Sequence, residues 1–299
     1  MMNVETKLTE IPQVVEQPRN KSEEFKNKDE EADYQADVQA VWEDLSPTVW
    51  RDSIYSEEAM NNCMGQLFTQ EVDLFKSIAD SVSKSDQFDS TAIIEVGMGT
   101  AELFSKVDVN FDMLVGVELS QGMIDLANSL HPKFRDPSNG VKLLQGNALE
   151  LNDVIQEKAY DQDHKFWKAT TFRLSCMCMN TFGILPESIR KDCLREMFDC
   201  AGPKGMLIIG CWHQESLKIG FEDFYAKNPQ LCGVCKEEDF DFEKGNFICS
   251  SSDYTSHWWS AEELTEILQQ SYPGKIEDLE IDFKIAGVGI FAICTIKQN

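Results

Sequence analysis

The run Thr91-Ala-Ile-Ile-Glu-Val-Gly97 is almost continuously apolar and stops at a glycine-rich turn. A strand with no polar face must be covered on both sides, which calls for a parallel sheet with helices packed above and below it. Similar runs recur at Met113–Glu118, Val141–Gln145, within residues 167–178 and at Met206–Gly210. Helix-length segments separate them: Ala101 to about Val107, Gln121–Leu130 stopped by His131-Pro132, and Glu187–Cys200 before the turn Gly202-Pro-Lys-Gly205. Strands alternating with helices predict an α/β chain with a doubly wound, mostly parallel sheet. Two last runs, Leu279–Ile285 and Gly289–Ile296, bring the expected sheet to seven strands.

The remaining segments read differently. Residues 1–33 are polar, carry charges of both signs and lack periodicity, as expected of a flexible leader. Residues 34–88 form an expected N-terminal helical cap. Val38, Val41, Trp42, Trp50, Ile54 and Tyr55 recur at helical spacing there, followed by Leu67, Phe68, Val72, Leu74, Phe75 and Ile78. Residues 89–299 make the main domain, interrupted after the fifth strand by an insertion at about 212–259 that is rich in aromatics and acids. Ser260-Ala-Glu-Glu263 matches a capping box and opens a helix through Gln270.

Charge narrows the function classes. The 299 residues hold 27 Lys and Arg against 52 Asp and Glu, a formal charge of −25. Phosphate backbones and anionic membrane surfaces are bound by cationic side chains, so neither nucleic acid nor membrane is an expected partner. The longest apolar stretch, Ile285–Ile296, is too short for a bilayer, and residues 1–30 lack the apolar core of a secretory signal, so a cytoplasmic location is expected. The 10 cysteines are scattered, several of them in apolar runs, and are expected to be reduced. Cys232-Gly-Val-Cys235 has no second pair at zinc spacing, so no metal is expected.

Glu95-Val-Gly97-Met-Gly99-Thr-Ala101 lies where a strand hands over to a helix. Glycines there let backbone pass close to a ligand, and the helix start offers free N–H groups. Glu118 ends the second strand run, suited to accepting bonds from the two hydroxyls of an adenosine ribose. A dinucleotide would need glycine or alanine at position 102, where Glu102 would repel a pyrophosphate. A nucleoside sulfonium carries no phosphate, and Glu95 is placed to anchor its ammonium group.

These residues resemble the motifs of the class I S-adenosylmethionine-dependent methyltransferases, in their small-molecule branch. Ile93–Ala101 is similar to the first motif, with Ala101 where that family usually has glycine; Val115–Ala127 is similar to the second. Leu144-Gln-Gly-Asn147-Ala148 resembles the third, with Asn147 in place of the usual Asp, and Gly202–Gly210 resembles the turn and fifth strand. The resemblance covers about residues 90–297. It implies a Rossmann-like methyltransferase fold and S-adenosyl-L-methionine as cofactor. Glu95, Gly97 and Gly99 would hold its amino-acid end and Glu118 its ribose, while Leu119 and Met123 flank adenine and Asn147 and Ala148 meet it.

At the acceptor end, Asn180-Thr-Phe-Gly183 resembles the Asn-Ser/Thr pattern of small-molecule members, amino-acid N-methyltransferases included. Asn180 and His213 are the expected catalytic residues, His213 as a proton acceptor because imidazole titrates near neutrality. Trp212, Tyr254 and His257 are the expected substrate contacts. The expected function is methyl transfer to a small molecule, nitrogen favoured as acceptor. Transfer to sulfur or oxygen, a nicotinamide-dependent oxidoreductase and a non-catalytic partner subunit are the alternatives.

Overall fold

The structure, a computed structural model, describes residues 47–57, 59–83, 88–107, 111–158, 172–252 and 254–297. The leader 1–33 and the start of the helical cap, with Val38, Val41 and Trp42, lie outside the described residues.

The chain opens with helices α1 (Pro47–Tyr55) and α2 (Cys63–Ser83). Strand β1 (Thr91–Val96) follows, then α3 (Glu102–Lys106), β2 (Met113–Glu118), α4 (Gln121–Leu130), β3 (Val141–Gln145) and α5 (Leu151–Lys158). Next come β4 (Phe172–Met177), the short α6 (Thr181–Ile184), α7 (Glu187–Ala201) and β5 (Met206–Trp212). The insertion carries α8 (Leu217–Asp223), α9 (Pro229–Cys232), β6 (Phe240–Asp241), β7 (Asn246–Ile248) and β8 (Thr255–His257). Helix α10 (Ala261–Ser271) and the hairpin β9 (Leu279–Ala286) and β10 (Gly289–Ile296) close the chain.

The main sheet has seven strands in the order β3-β2-β1-β4-β5-β10-β9. The first five are parallel; β10 runs antiparallel between β5 and β9. This is the doubly wound, mostly parallel sheet that the apolar runs predicted. Strand β5 runs two residues beyond its predicted end, because Cys211 and Trp212 still find partners in Ile290 and Gly289 of β10.

All six residues of β1 are buried, and they alternate between two cores. Ile93 joins the core built with α1 to α4, whereas Ile94 and Val96 join the one built with α5, α7 and α10. The order reverses at β1 and β4, with β2 on one side and β5 on the other. A crevice outside the strand carboxyl ends forms at such a point, where ligands bind in open α/β sheets.

The insertion forms its own three-stranded sheet, β6-β7-β8, around an aromatic cluster. Phe240 and Phe247 stack at 4.2 Å and Tyr225 packs on Phe247 at 4.5 Å. Trp258 stacks on Trp212 at 4.7 Å, and this contact joins the insertion to the end of β5. Among the described residues no helix is long and apolar enough to cross a membrane, and no group of three His, Cys, Asp or Glu could hold a metal ion. All ten cysteines are free thiols, with Cys235 the most exposed of them.

The capping box is formed. Ser260 Oγ accepts the N–H of Glu263 at 3.2 Å, and the Glu263 carboxylate accepts the Ser260 N–H at 3.0 Å. Ser260→Ala is expected to lower unfolding free energy by about 1 kcal/mol in urea denaturation. An unchanged midpoint would mean that packing alone sets the start of α10.

Candidate functional site

The site starts where β1 ends. Gly97 and Gly99 have φ of +68° and +54°, and Ala101 is also left-handed at +57°, the position where glycine would be easier. Gly99 needs its lack of a side chain for a second reason: a Cβ there would lie 2.9 Å from the Trp50 ring of α1. Helix α1 is held over the loop by Arg51, whose Nε donates to Glu102 Oε1 at 3.0 Å at the start of α3. His131 Nε2 lies 3.8 Å from the other Glu102 oxygen.

Glu118, at the end of β2, is keyed to this loop. Its Oε2 accepts the Gly99 N–H at 2.9 Å and its Oε1 the Ser120 N–H at 3.0 Å. Burial raises its pKa, and those N–H bonds pull it back down. Each carboxylate oxygen keeps a further lone pair for another donor. Leu119 follows, its carbonyl accepting from Gln145 Nε2 at 3.3 Å, and Met123 is buried in the first turn of α4. Across the β2–β3 edge, Asn147 Oδ1 caps the turn that Ala148 opens by accepting the Leu149 N–H at 3.0 Å. Glu95, Gly97, Gly99, Glu118, Leu119, Met123, Asn147 and Ala148 thus line the carboxyl ends of three adjacent strands.

Among the described residues, three buried polar atoms beside this row lack a protein partner: Glu95 Oε2, Thr100 Oγ1 and Glu71 Oε2. Buried polar groups are normally satisfied, so such atoms mark where a ligand donor or acceptor fits. Burial first, then the charges of Glu71 and Glu118, raises the Glu95 carboxyl far above its usual range. Glu71 was not among the sequence candidates. It comes from the middle of α2, is fully buried, and accepts the Met179 N–H through Oε1 at 2.7 Å. Burial pushes its pKa up to about 8, the Met179 bond acting in the opposite direction. A signal for it existed. Leu67, Phe68, Leu74 and Phe75 stand four and three residues to either side, so Glu71 is an acid at the centre of an apolar helical face.

The acceptor-side candidates are placed as follows. Met179 and Asn180 form a turn at the end of β4 with φ of +53° and +58°. The Asn180 amide is engaged at both ends: Oδ1 accepts the Trp212 N–H at 3.1 Å and Nδ2 donates to Ser256 Oγ at 3.0 Å. Trp212 is 1% exposed between Phe224 and Trp258, so it is wall rather than open contact surface. Gly210 and Trp212 share the Glu71 face of β5. Alternation sends His213 to the other side with Cys211, beside Trp259, to which it bridges. Tyr254 packs on Tyr225 and Phe247 inside the insertion. His257 bonds Asn246 Oδ1 at 2.6 Å and pairs with Glu263 at 3.5 Å, with burial holding its pKa below the usual histidine value. The structure therefore places residues expected to hold a cofactor, Glu95 among them, near Glu71, and ties Asn180, Tyr254 and His257 into the insertion.

No protein-family model matches the sequence, and no curated protein matches it. Solved structures do match. Magnesium protoporphyrin IX methyltransferase from Synechocystis PCC 6803 with bound SAH aligns over 88% of this chain and 100% of its own, at 10% identity and a TM-score of 0.53. The same enzyme with bound SAM covers 88% and 97%, at 8% identity and a TM-score of 0.52. An S-adenosylmethionine-dependent methyltransferase from Clostridium acetobutylicum ATCC 824 covers 77% and 92%, at 13% identity and a TM-score of 0.48.

Two outcomes follow from the site's geometry. Glu71, with its folded pKa above its unfolded one, contributes stability below about pH 4.5 that is lost as pH rises through about 8. The ligand-free Glu71→Gln variant is therefore expected to melt above wild type at pH 9, with the gain vanishing near pH 4.5; every tenfold difference in proton affinity between the folded and unfolded chain is worth about 1.4 kcal/mol. Parallel melting curves at every pH would show that Glu71 is solvated. Asn180→Ala leaves the buried Trp212 N–H unpaired, and a loss of about 2 kcal/mol in urea denaturation is expected; a loss below about 0.5 kcal/mol would show that the turn holds without its side chain. At these identities the structural likeness speaks for architecture, and this chain has the Rossmann-like methyltransferase fold.

Proposed function

We propose that the chain transfers the methyl group of S-adenosyl-L-methionine to a small molecule, with nitrogen as the accepting atom. The observation that carries this reading is the pairing of a glycine loop clamped by Glu118 with unpartnered buried oxygens on Glu95 and Thr100. The residues suit the cofactor along its length. Glu118 would take the ribose hydroxyls, Leu119 and Met123 would flank adenine, and Asn147 and Ala148 would meet its edge. The Glu95 carboxylate would take the ammonium group, with Gly97 and Gly99 leaving room for the backbone to come close. The bound sulfonium supplies an electrophilic methyl carbon; the protein aligns the acceptor and excludes water.

The buried, ion-paired Glu102 at the head of α3 disfavours a dinucleotide, since its carboxylate stands where a pyrophosphate would need N–H donors. The net charge of −25 supports a small acceptor over nucleic acid. One of the proteins sharing the fold is named for a small-molecule porphyrin. In this reading α1, α2 and the insertion cap the acceptor side of residues 89–299. Asn180 fixes the turn beneath the acceptor rather than moving a proton, and His213 lies on the far face of β5.

Calorimetric titration with S-adenosylhomocysteine, with NAD in parallel, tests the cofactor. Micromolar binding of the first and none of the second is expected. Glu118→Ala is expected to weaken S-adenosylhomocysteine binding by about 30-fold or more while leaving the circular dichroism spectrum unchanged. Binding of NAD alone, or of neither ligand, would overturn the reading.

A further inference from the structure

Glu71 presents a problem that the fold does not solve. An acid at the centre of a buried helical face costs stability unless both oxygens are satisfied. Only Oε1 is, through the Met179 N–H at 2.7 Å. The same oxygen would lie 2.4 Å from a Cβ on Gly210, so the carboxyl is wedged between the β4 turn and β5 at their carboxyl ends. The second oxygen, Oε2, is buried and without a protein partner. A glutamine would serve the Met179 N–H equally well, and a leucine would suit the rest of the helix face. The spare oxygen calls for a ligand that brings its own donor.

The surroundings limit that ligand. The titratable groups within electrostatic reach of Glu71 are Glu95 from β1, Tyr55 from α1, Cys176 and Cys178 at the end of β4 and, from the opposite face of β5, Cys211. None is cationic. A carboxylate or phosphate acceptor would meet the Glu71 carboxyl with no cationic side chain beside it among the described residues, whereas a cationic acceptor would neutralise it. Trp212 follows Gly210 on the same strand face, and Tyr55 of α1 lies within electrostatic reach of Glu71; aromatic rings near a carboxyl suit an organic cation.

We infer that Glu71 is the acceptor-binding carboxylate and proton acceptor of the site, and that the acceptor is a small primary or secondary ammonium. This rests on the methyl-transfer reading above. The ammonium N–H donates to Glu71 Oε2; the N–H bond then breaks, its electron pair stays on nitrogen, and the proton forms an O–H bond at Oε2. The nitrogen is left with the lone pair that accepting a methyl group requires. Burial raises the proton affinity of the Glu71 carboxyl and so narrows its gap to a small aliphatic ammonium, which suits it to taking that proton.

The test separates this inference from the reading it rests on. Wild type, Glu71→Gln and Glu71→Asp are first titrated with S-adenosylhomocysteine, and micromolar binding to all three is expected; no binding to wild type sinks the methyl-transfer reading itself. Each protein, saturated with S-adenosylhomocysteine, is then titrated with ethylamine, N-methylethylamine, ethanolamine and histamine, and with propionate and 2-mercaptoethanol as controls. Separately, a metabolite extract is incubated with wild type and methyl-labelled donor, and the labelled product is identified by mass spectrometry. The expected results are an N-methylated product, binding confined to amines, and an amine affinity at least about 30-fold weaker in Glu71→Gln, with partial recovery in Glu71→Asp. S-adenosylhomocysteine binding together with an O- or S-methylated product, no labelled product, no amine bound, or amine binding indifferent to Glu71→Gln overturns the assignment of Glu71.

Discussion

The turn at Met179 and Asn180 is where three separate parts of the chain are fastened together. Two successive left-handed residues, neither of them glycine, cost about 1–2 kcal/mol each and persist only where the surroundings over-determine them. Three contacts do so here. Glu71 from α2 accepts the Met179 N–H, the Asn180 N–H bonds the Gly210 carbonyl at 3.1 Å, and the Asn180 side chain reaches both β5 and the insertion strand β8. The cap, the sheet and the insertion therefore share one joint, at the crevice that the strand order creates.

Around that joint the interior is acidic. Glu71, Glu95 and Glu118 come from different elements and converge on the carboxyl ends of β1, β2 and β4, each with a raised affinity for protons. Glu118 is partly compensated by two backbone N–H groups, and Glu71 by one. Glu95 and Glu71 each keep an oxygen that the protein leaves unbonded. The gradient runs from a satisfied acid at β2 to unsatisfied ones at β1 and α2. In the proposed reading it runs from the acid assigned to the cofactor's ribose to those assigned to its ammonium group and to the acceptor.

The sheet was legible because its evidence is local and repeated. Most strands are short apolar runs bounded by a turn, and all seven expected runs are strands of one sheet. The glycine loop and Glu118 were legible for the same reason, since close backbone approach and a strand-end acid leave a fixed spacing. The acceptor side was not. Asn180 carries a motif-like context, yet its amide is consumed by Trp212 and Ser256, a pairing across 76 residues of chain that no local pattern encodes. His213 stands at a strand end, but the face it takes depends on register, and Gly210 and Trp212 already occupy the Glu71 side. Glu71 was hidden by the averaging that finds helices. A stripe of Leu67, Phe68, Leu74 and Phe75 reads as an apolar face, and the exception inside it is the informative residue.

The thiols near the crevice gain meaning from the same burial. Cys176 and Cys178 lie at the end of β4, close enough to feel Glu71 and Glu95. Burial raises Cys176; at Cys178 its bond with Cys176 and then burial do so, which keeps both as neutral S–H groups. Thiolates are the strongest nucleophiles a protein owns, and a sulfonium is an alkylating agent. On the proposed chemistry, the acids that welcome a cationic acceptor also suppress ionisation of the neighbouring cysteines, so the pocket is protected from alkylating itself.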